Sequence, residues 1–188
     1  MSETKGKIIS RRTAYDGWNR LEEVTVASGT GEHRREIITH GDAASLLPYD
    51  PERRMALLVR QLRAPLLARS EGDGWVLEAC AGIIDPGETP REAALREGEE
   101  ELGVRLGGAE HLASVYPAPG CLDELAHLYL AVYEPADRIG EGGGNDHEGE
   151  EIEVIEMPLD DLYRLMRERK IIDAKTLIMA QALLARGA

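Results

Sequence analysis

Phenylalanine is missing from this chain of 188 residues, and aromatic residues of all kinds make up only 4% of it. A buried core must therefore rest on Leu, Ile, Val and Ala, helped by a few Tyr and Trp. Cysteine is nearly missing too. Cys80 and Cys121 are the two thiols, which excludes a disulfide framework and any zinc-ligand spacing. No run of about 18 apolar residues occurs, and the N-terminal stretch MSETKGKIISRRTAYDGW lacks the apolar segment of a secretory signal. The expectation is a cytoplasmic protein with no membrane partner. Positive charge is in deficit, with 22 Lys and Arg against 35 Asp and Glu and a formal net charge of −13. That argues against a nucleic-acid partner, which calls for a basic face. It suits a protein that gathers hard divalent cations, although solubility alone also accounts for it.

What is present reads as an ordinary globular chain, 43% apolar and 30% charged, long enough for one domain with a small appendage. Residues 6–40 carry three strand-like runs, KIISRR, LEEVTVAS and HRREIITHG. Turn signals at Asp16-Gly17 and Gly29-Thr30-Gly31 separate them. They hold too few large apolar residues to make a core by themselves, so they must lean on the rest of the chain or on a second copy. ERRMALLVRQLR (52–63) reads as a buried strand broken by Ala64-Pro65, and WVLEACAG as another. HLASVYPAPG and ELAHLYLAVYE supply two strands around a Pro/Gly loop, and IEVIEMPL a last one. LDDLYRLMRERK and AKTLIMAQALLARG have the period of amphipathic helices, and IGEGGGNDHEGEE (139–151) is a loop by composition. Strands with helices inserted late predict an α+β sandwich rather than a doubly wound parallel sheet.

Six glutamates fall between Glu88 and Glu101. Thr89, Pro90 and Glu92 form a capping-box start for a helix, and Gly103 ends it. At roughly 100° per residue, Glu97, Glu100 and Glu101 share one face, with Leu95, Gly98 and Leu102 beside it. Glu99 points away into solvent. Carboxylates one turn apart repel by a few tenths of a kcal/mol per pair, a loss that a divalent cation relieves while keeping sites for water and phosphate oxygens. A solvated acidic face is the competing reading of charge alone.

Spacing separates the two. Gly82, five residues, Glu88, seven residues, Arg96-Glu97, then Glu100-Glu101, Gly103 and Val104 resemble the Nudix box, with every fixed letter in register. At roughly 7% usage per residue the chance of that match is on the order of 10⁻⁸. Gly98 departs from the pattern, standing where a bulky apolar residue is expected. In a helix it costs about 1 kcal/mol against Ala and leaves room for a bulky neighbour.

The resemblance implies a Nudix-type α/β/α sandwich with a mixed sheet, and N-terminal antiparallel strands used in dimerisation. The expected organisation is a β-strand subdomain over residues 1–45 and a hydrolase domain over 46–188. It implies Mg²⁺ or Mn²⁺ held by Glu97, Glu101, Glu100 and the backbone carbonyl of Ala81. Arg96 would orient the carboxylates, and Glu88 would support the loop. Beyond the box, Arg60-Gln61-Leu62-Arg63, Glu78 to Gly82, Pro119-Gly120 with Glu124, and Glu148 to Ile152 resemble the sugar-nucleotide branch of that family. By that match Glu148 would be the base and Glu150 a further metal ligand, on a loop that the Gly-rich GEGGG lets close over substrate. Arg34, Arg35, Arg63, Glu78 and Glu124 are the candidate substrate contacts, while His127, on an alternating strand, reads as a packed histidine. Glu124-Leu125-Ala126-His127 and Asp173-Ala174-Lys175-Thr176 look closer to the GDP-mannose type, which yields GMP and mannose 1-phosphate. The alternatives are an ADP-ribose pyrophosphatase, yielding AMP and ribose 5-phosphate, and a non-catalytic nucleotide sensor. The implied assembly is a homodimer.

Overall fold

Side chains alternate across a strand, so the identity of every second residue decides which face is buried and against what. The structure is a computed structural model that describes residues 5–69, 72–144 and 151–187. The chain falls into two compact units, Met1–Asp42 with Tyr116–Leu125, and Ala43–Val115 with Ala126–Ala188.

In the first unit, β1 (Lys7–Asp16), β2 (Arg20–Ser28) and β3 (Gly31–Thr39) form an antiparallel meander. These are the three runs expected from the sequence. Every residue of β1 is exposed, including Ile8 and Ile9, and Trp18 in the turn after it is 80% exposed. The end of β3 is stitched to residues 121–125. Ile38 donates its N–H to Cys121 O at 2.7 Å, Asp123 N–H returns to Ile38 O at 3.2 Å, and Thr39 Oγ1 donates to Asp123 Oδ2 at 2.9 Å.

The second unit is built on β4 (Ala43–Asp50), β5 (Met55–Leu62), β6 (Trp75–Glu78), β7 (Cys80–Ile83), β8 (Glu110–Val115), β9 (Ala126–Val132) and β10 (Ile152–Pro158). Among the described residues these seven strands share one mixed sheet. Its order is β10-β5-β4-β9-β8, with β6 beside β5 and β7 beside β4. β4 and β9 run parallel and the other pairs antiparallel. Helix α1 (Ala64–Ala68) is a single short turn after β5, and α2 (Pro90–Glu100) packs on one face of the sheet. On that face Leu46, Leu57, Val59, Cys80 and Tyr129 meet Ala93, Ala94 and Leu102. On the other face Leu47, Leu58, Leu128 and Leu130 meet α3 (Leu159–Arg167) and α4 (Ala174–Arg186) through Leu159, Leu162, Met179 and Leu183. Neighbouring leucines of one strand thus serve opposite layers, each worth about 1.5–3 kcal/mol when fully buried. The result is the α/β/α sandwich.

Two strands differ from the sequence reading. β4 carries no period-2 signal because nearly every residue of AASLLPYD is buried, with a helix layer on each side. WVLEACAG is two strands, not one. The N–H of Ala79 is taken by Thr176 Oγ1 at 2.7 Å, and the chain changes partner there from β5 to β4.

Candidate active site

The helix α2 begins as its residues dictate. Thr89 and Glu92 exchange their hydrogen bonds, Thr89 N–H to Glu92 Oε2 at 2.8 Å and Glu92 N–H to Thr89 Oγ1 at 3.3 Å, with Pro90 at the first helical position. The acid face then sorts by depth. Glu97 is 8% and Glu101 2% exposed, whereas Glu100 lies half open. Glu99 is paired with Arg105 in a two-pronged surface contact at 3.0 and 3.1 Å, so it is bonded rather than free in solvent.

Arg96 knits the loop to the helix. Its guanidinium grips Glu88 with two bonds of 3.1 and 3.2 Å, donates to Glu97 Oε1 at 2.7 Å and Glu100 Oε2 at 2.9 Å, and reaches Ile83 O at 3.1 Å. Glu88 first, and then Glu97 and Glu100, raise the guanidinium pKa still further. Such a planar fork fixes several carboxylates at once, which a lysine cannot do. Below it, a β-carbon on Gly82 would collide with the Glu97 carboxylate, so the box glycine is what lets the helix carboxylate approach β7. Glu101 Oε2 accepts the N–H of Ala81 at 3.2 Å. Burial, and then Glu101 and Glu97, push the Cys80 thiol well up, so this cysteine is a neutral core residue and not a nucleophile.

The far end of α2 is closed by glycines. Gly103, at φ +65°, donates to Glu99 O at 3.1 Å, and Val104 N–H goes to Gly98 O at 3.0 Å. Gly142, Gly143 and Gly144 all take positive φ, and Gly143 and Gly144 donate to the carbonyls of Glu101 and Glu100 at 2.9 and 3.2 Å. The GEGGG segment was expected to supply freedom for closure. Its last three glycines supply positive-φ turns, and two of them satisfy the last carbonyls of the glutamate helix.

The other expected residues fall in two places. Arg63 grips Glu78 with two bonds of 2.9 Å, and Lys175 stands 3.9 Å from the same carboxylate. The Asp173-Ala174-Lys175-Thr176 stretch is the cap of α4. Asp173 Oδ2 accepts Thr176 N–H at 2.8 Å, and Thr176 holds Ala79. In the first unit, Arg34 and Arg35 line a cavity of about 500 Å³ with Glu23, Glu36, Gly120 and Cys121. Glu124, also there, pairs with His40 at 3.1 Å. Glu148 and Glu150 lie outside the described residues.

Among the described residues no three acidic, histidine or cysteine side chains are gathered as a ready metal-holding group. Glu97 and Glu101 nevertheless fit a hard dication. They are oxygen donors one helical turn apart, nearly buried against β7, and Mg²⁺ commonly takes one or two carboxylates and fills its octahedron with water and phosphate oxygens.

Comparison with known proteins agrees with this geometry. The NUDIX domain family matches residues 39–179. The chain is 38% identical to the GDP-mannose pyrophosphatase of Cronobacter sakazakii over 189 residues, spanning 97% of this chain and 94% of that protein. It is 32% identical to the GDP-mannose pyrophosphatase of Pectobacterium atrosepticum over 185 residues, spanning 96% and 94%. The crystal structure of an ADP compounds hydrolase matches with a TM-score of 0.75 at 22% identity, covering 100% of this chain and 98% of that one, a likeness of fold.

Proposed function

We propose, from the premise that this chain belongs to the Nudix family, that it hydrolyses the phosphoanhydride of a nucleoside diphosphate sugar, GDP-mannose, to GMP and mannose 1-phosphate. The observation that carries the chemistry is the buried pair of Glu97, held by Arg96 and admitted by Gly82, and Glu101, held by the Ala81 N–H. The substrate rests on likeness to GDP-mannose pyrophosphatases along nearly the whole chain. No box glutamate is lost, which disfavours a sensor without activity.

Glu97 and Glu101, with Glu100, Glu150 and the carbonyl of Ala81, are the residues that would hold Mg²⁺ or Mn²⁺. Bound there, the ion would polarise the phosphoanhydride and lower the pKa of a water. The chain's own part is orientation. Arg96 fixes the directions of Glu97 and Glu100, and the Arg63–Glu78 pair sets a rigid cation beside the sheet. Glu148 is the proposed base, and Arg34, Arg35 and Glu124 the proposed contacts from the first unit. The exposed β1, with Ile8, Ile9 and the neighbouring Trp18 uncovered, supports a homodimer through residues 1–45, which sedimentation would reveal. No described helix is long and apolar enough to cross a membrane, and the cytoplasm is the proposed location.

The test is a hydrolysis panel with Mg²⁺, comparing GDP-mannose, ADP-ribose, GDP-glucose and NADH by chromatography, with Glu101→Gln as control. GMP released from GDP-mannose by wild type and not by the variant supports the reading. A preference for ADP-ribose keeps the mechanism and replaces the substrate. Tight nucleotide binding without turnover overturns the enzyme.

A further inference from the structure

One group of polar side chains in the second unit is left unused by the mechanism above. Ser114 Oγ lies 2.9 Å from His111 Nε2 and 2.8 Å from His127 Nδ1, so a single hydroxyl joins two imidazoles. His111 also meets the ring of Tyr129 edge-on at 5.4 Å. Residues 111 and 114 sit an odd number of positions apart, and in a regular strand they would face opposite sides. A β-bulge between His111 and Ala113 cancels that. His111 then stands opposite Tyr129 and Ser114 opposite His127, and all four share a face. Bulges interrupt pairing and are used to re-aim side chains. Here the interruption serves to line up three polar groups.

The face is that of the candidate active site. His127 pairs across β4 with Ala44, and Ala44 pairs with Gly82. Gly82 is the residue over which the Glu97 carboxylate lies. Two strand spacings of about 4.8 Å therefore separate the His127 backbone from that of Gly82 on one side of one sheet. The residue between them, Ala44, is fully buried in the core layer that meets α2. Nucleoside diphosphate sugars are longer than that gap.

Proton accounting lets the relay through Ser114 run either way, and one of the two directions makes His127 a donor at its free nitrogen. The Ser114 hydroxyl has one hydrogen, so with both rings neutral it donates to one and accepts from the other. When His111 donates to Ser114, Ser114 donates to His127 Nδ1, and the proton of His127 sits on Nε2. Among the described residues Nε2 of His127 makes no hydrogen bond. We propose that His127 is a substrate contact, its Nε2–H held by Ser114 and His111 for an oxygen of the bound nucleotide sugar. This rests on the function proposed above. The oxygen belongs either to the nucleotide half or to the sugar-phosphate half, and the two products separate those cases.

The experiment measures kcat and KM for GDP-mannose, inhibition by GMP and by mannose 1-phosphate, and melting temperature. It uses wild type, His127→Ala, His127→Gln and Ser114→Ala. The expected result is a KM raised about tenfold or more in His127→Ala, the worth of one good hydrogen bond. Melting temperature and kcat should stay near wild type. His127→Gln, whose amide N–H can replace Nε2–H, should recover most of the loss, and Ser114→Ala should fall between. Weaker inhibition by GMP alone assigns the nucleotide half, and by mannose 1-phosphate alone the sugar half. An active wild type with unchanged KM and inhibition constants in His127→Ala overturns this inference and leaves the enzyme reading standing. A wild type with no turnover overturns both. If the alanine variant fails to fold, imidazole ¹⁵N shifts of wild-type His127 on adding either product decide the matter. No change overturns the contact.

Discussion

The Glu97 carboxylate occupies the space where residue 82 would carry a β-carbon. The carboxylate thus keeps its place against β7 only while position 82 is glycine. Gly82→Ala is expected to push Glu97 off β7 and break its bond to Arg96. Misplacing a reacting group by an ångström costs about 100-fold, so hydrolysis should fall by that order, with a raised requirement for Mg²⁺. A Mg²⁺ titration of initial rates checks this, and activity within threefold of wild type would sink it.

Gly98 answers to Leu46. A β-carbon there would come within 3.0 Å of Leu46 Cδ2, in the core layer beneath α2. Gly98→Leu, which restores the bulky residue that the Nudix pattern expects, should cost about 1–3 kcal/mol by overpacking. Adding Leu46→Ala should return part of that loss. The check is a double-mutant cycle by denaturant unfolding, with an interaction of the compensating sign.

Gly142 is held twice over. Its φ is +72°, and a β-carbon would strike the Glu101 carbonyl. Gly142→Ala should cost about 1–3 kcal/mol and expose the amides of Gly143 and Gly144, which now cap α2. Faster hydrogen exchange at those two amides, with the other core amides unchanged, is the expected signature. Uniformly faster exchange would point to global loss instead.

Asp173 carries an acid-dependent share of stability. Burial pushes its pKa up, but the Lys175 charge and the bonds from Lys175 and Thr176 outweigh it, and the net shift is downward. A lowered carboxylate pKa stabilises the fold in full above the ordinary aspartate value of about 4. That share is lost as pH falls through the folded value. Asp173→Asn keeps an acceptor for the cap and removes the charge. Wild type should out-melt it at pH 7, and the gap should close as pH falls below about 4. A gap independent of pH would mean that the charge contributes nothing.

Most of this architecture can be read locally. The capping box at Thr89, the stop at Gly103 and the apolar runs of β5 and β9 depend on residues a few positions apart, which is why the sequence foretells them. β4 escapes because AASLLPYD, covered on both faces, has neither a polar side to betray its period nor the long run of large apolar residues that marks β5. The Ala79 break escapes because its cause, Thr176, lies far along the chain.

The same division runs through the site. Composition and spacing alone gave the family resemblance, an oxygen-rich face and the identities of Arg96, Glu97 and Glu101, since one helix sets all their directions. Packing alone decided that Glu97 and Glu101 are buried while Glu100 stays open, and that Gly98 yields to Leu46. It also turned two loop glycines into the end of the glutamate helix and aligned His111, Ser114 and His127 through a bulge. Each of these joins residues distant in sequence. Their geometry comes from how volumes fill and which carbonyls find donors, and no local periodicity records that.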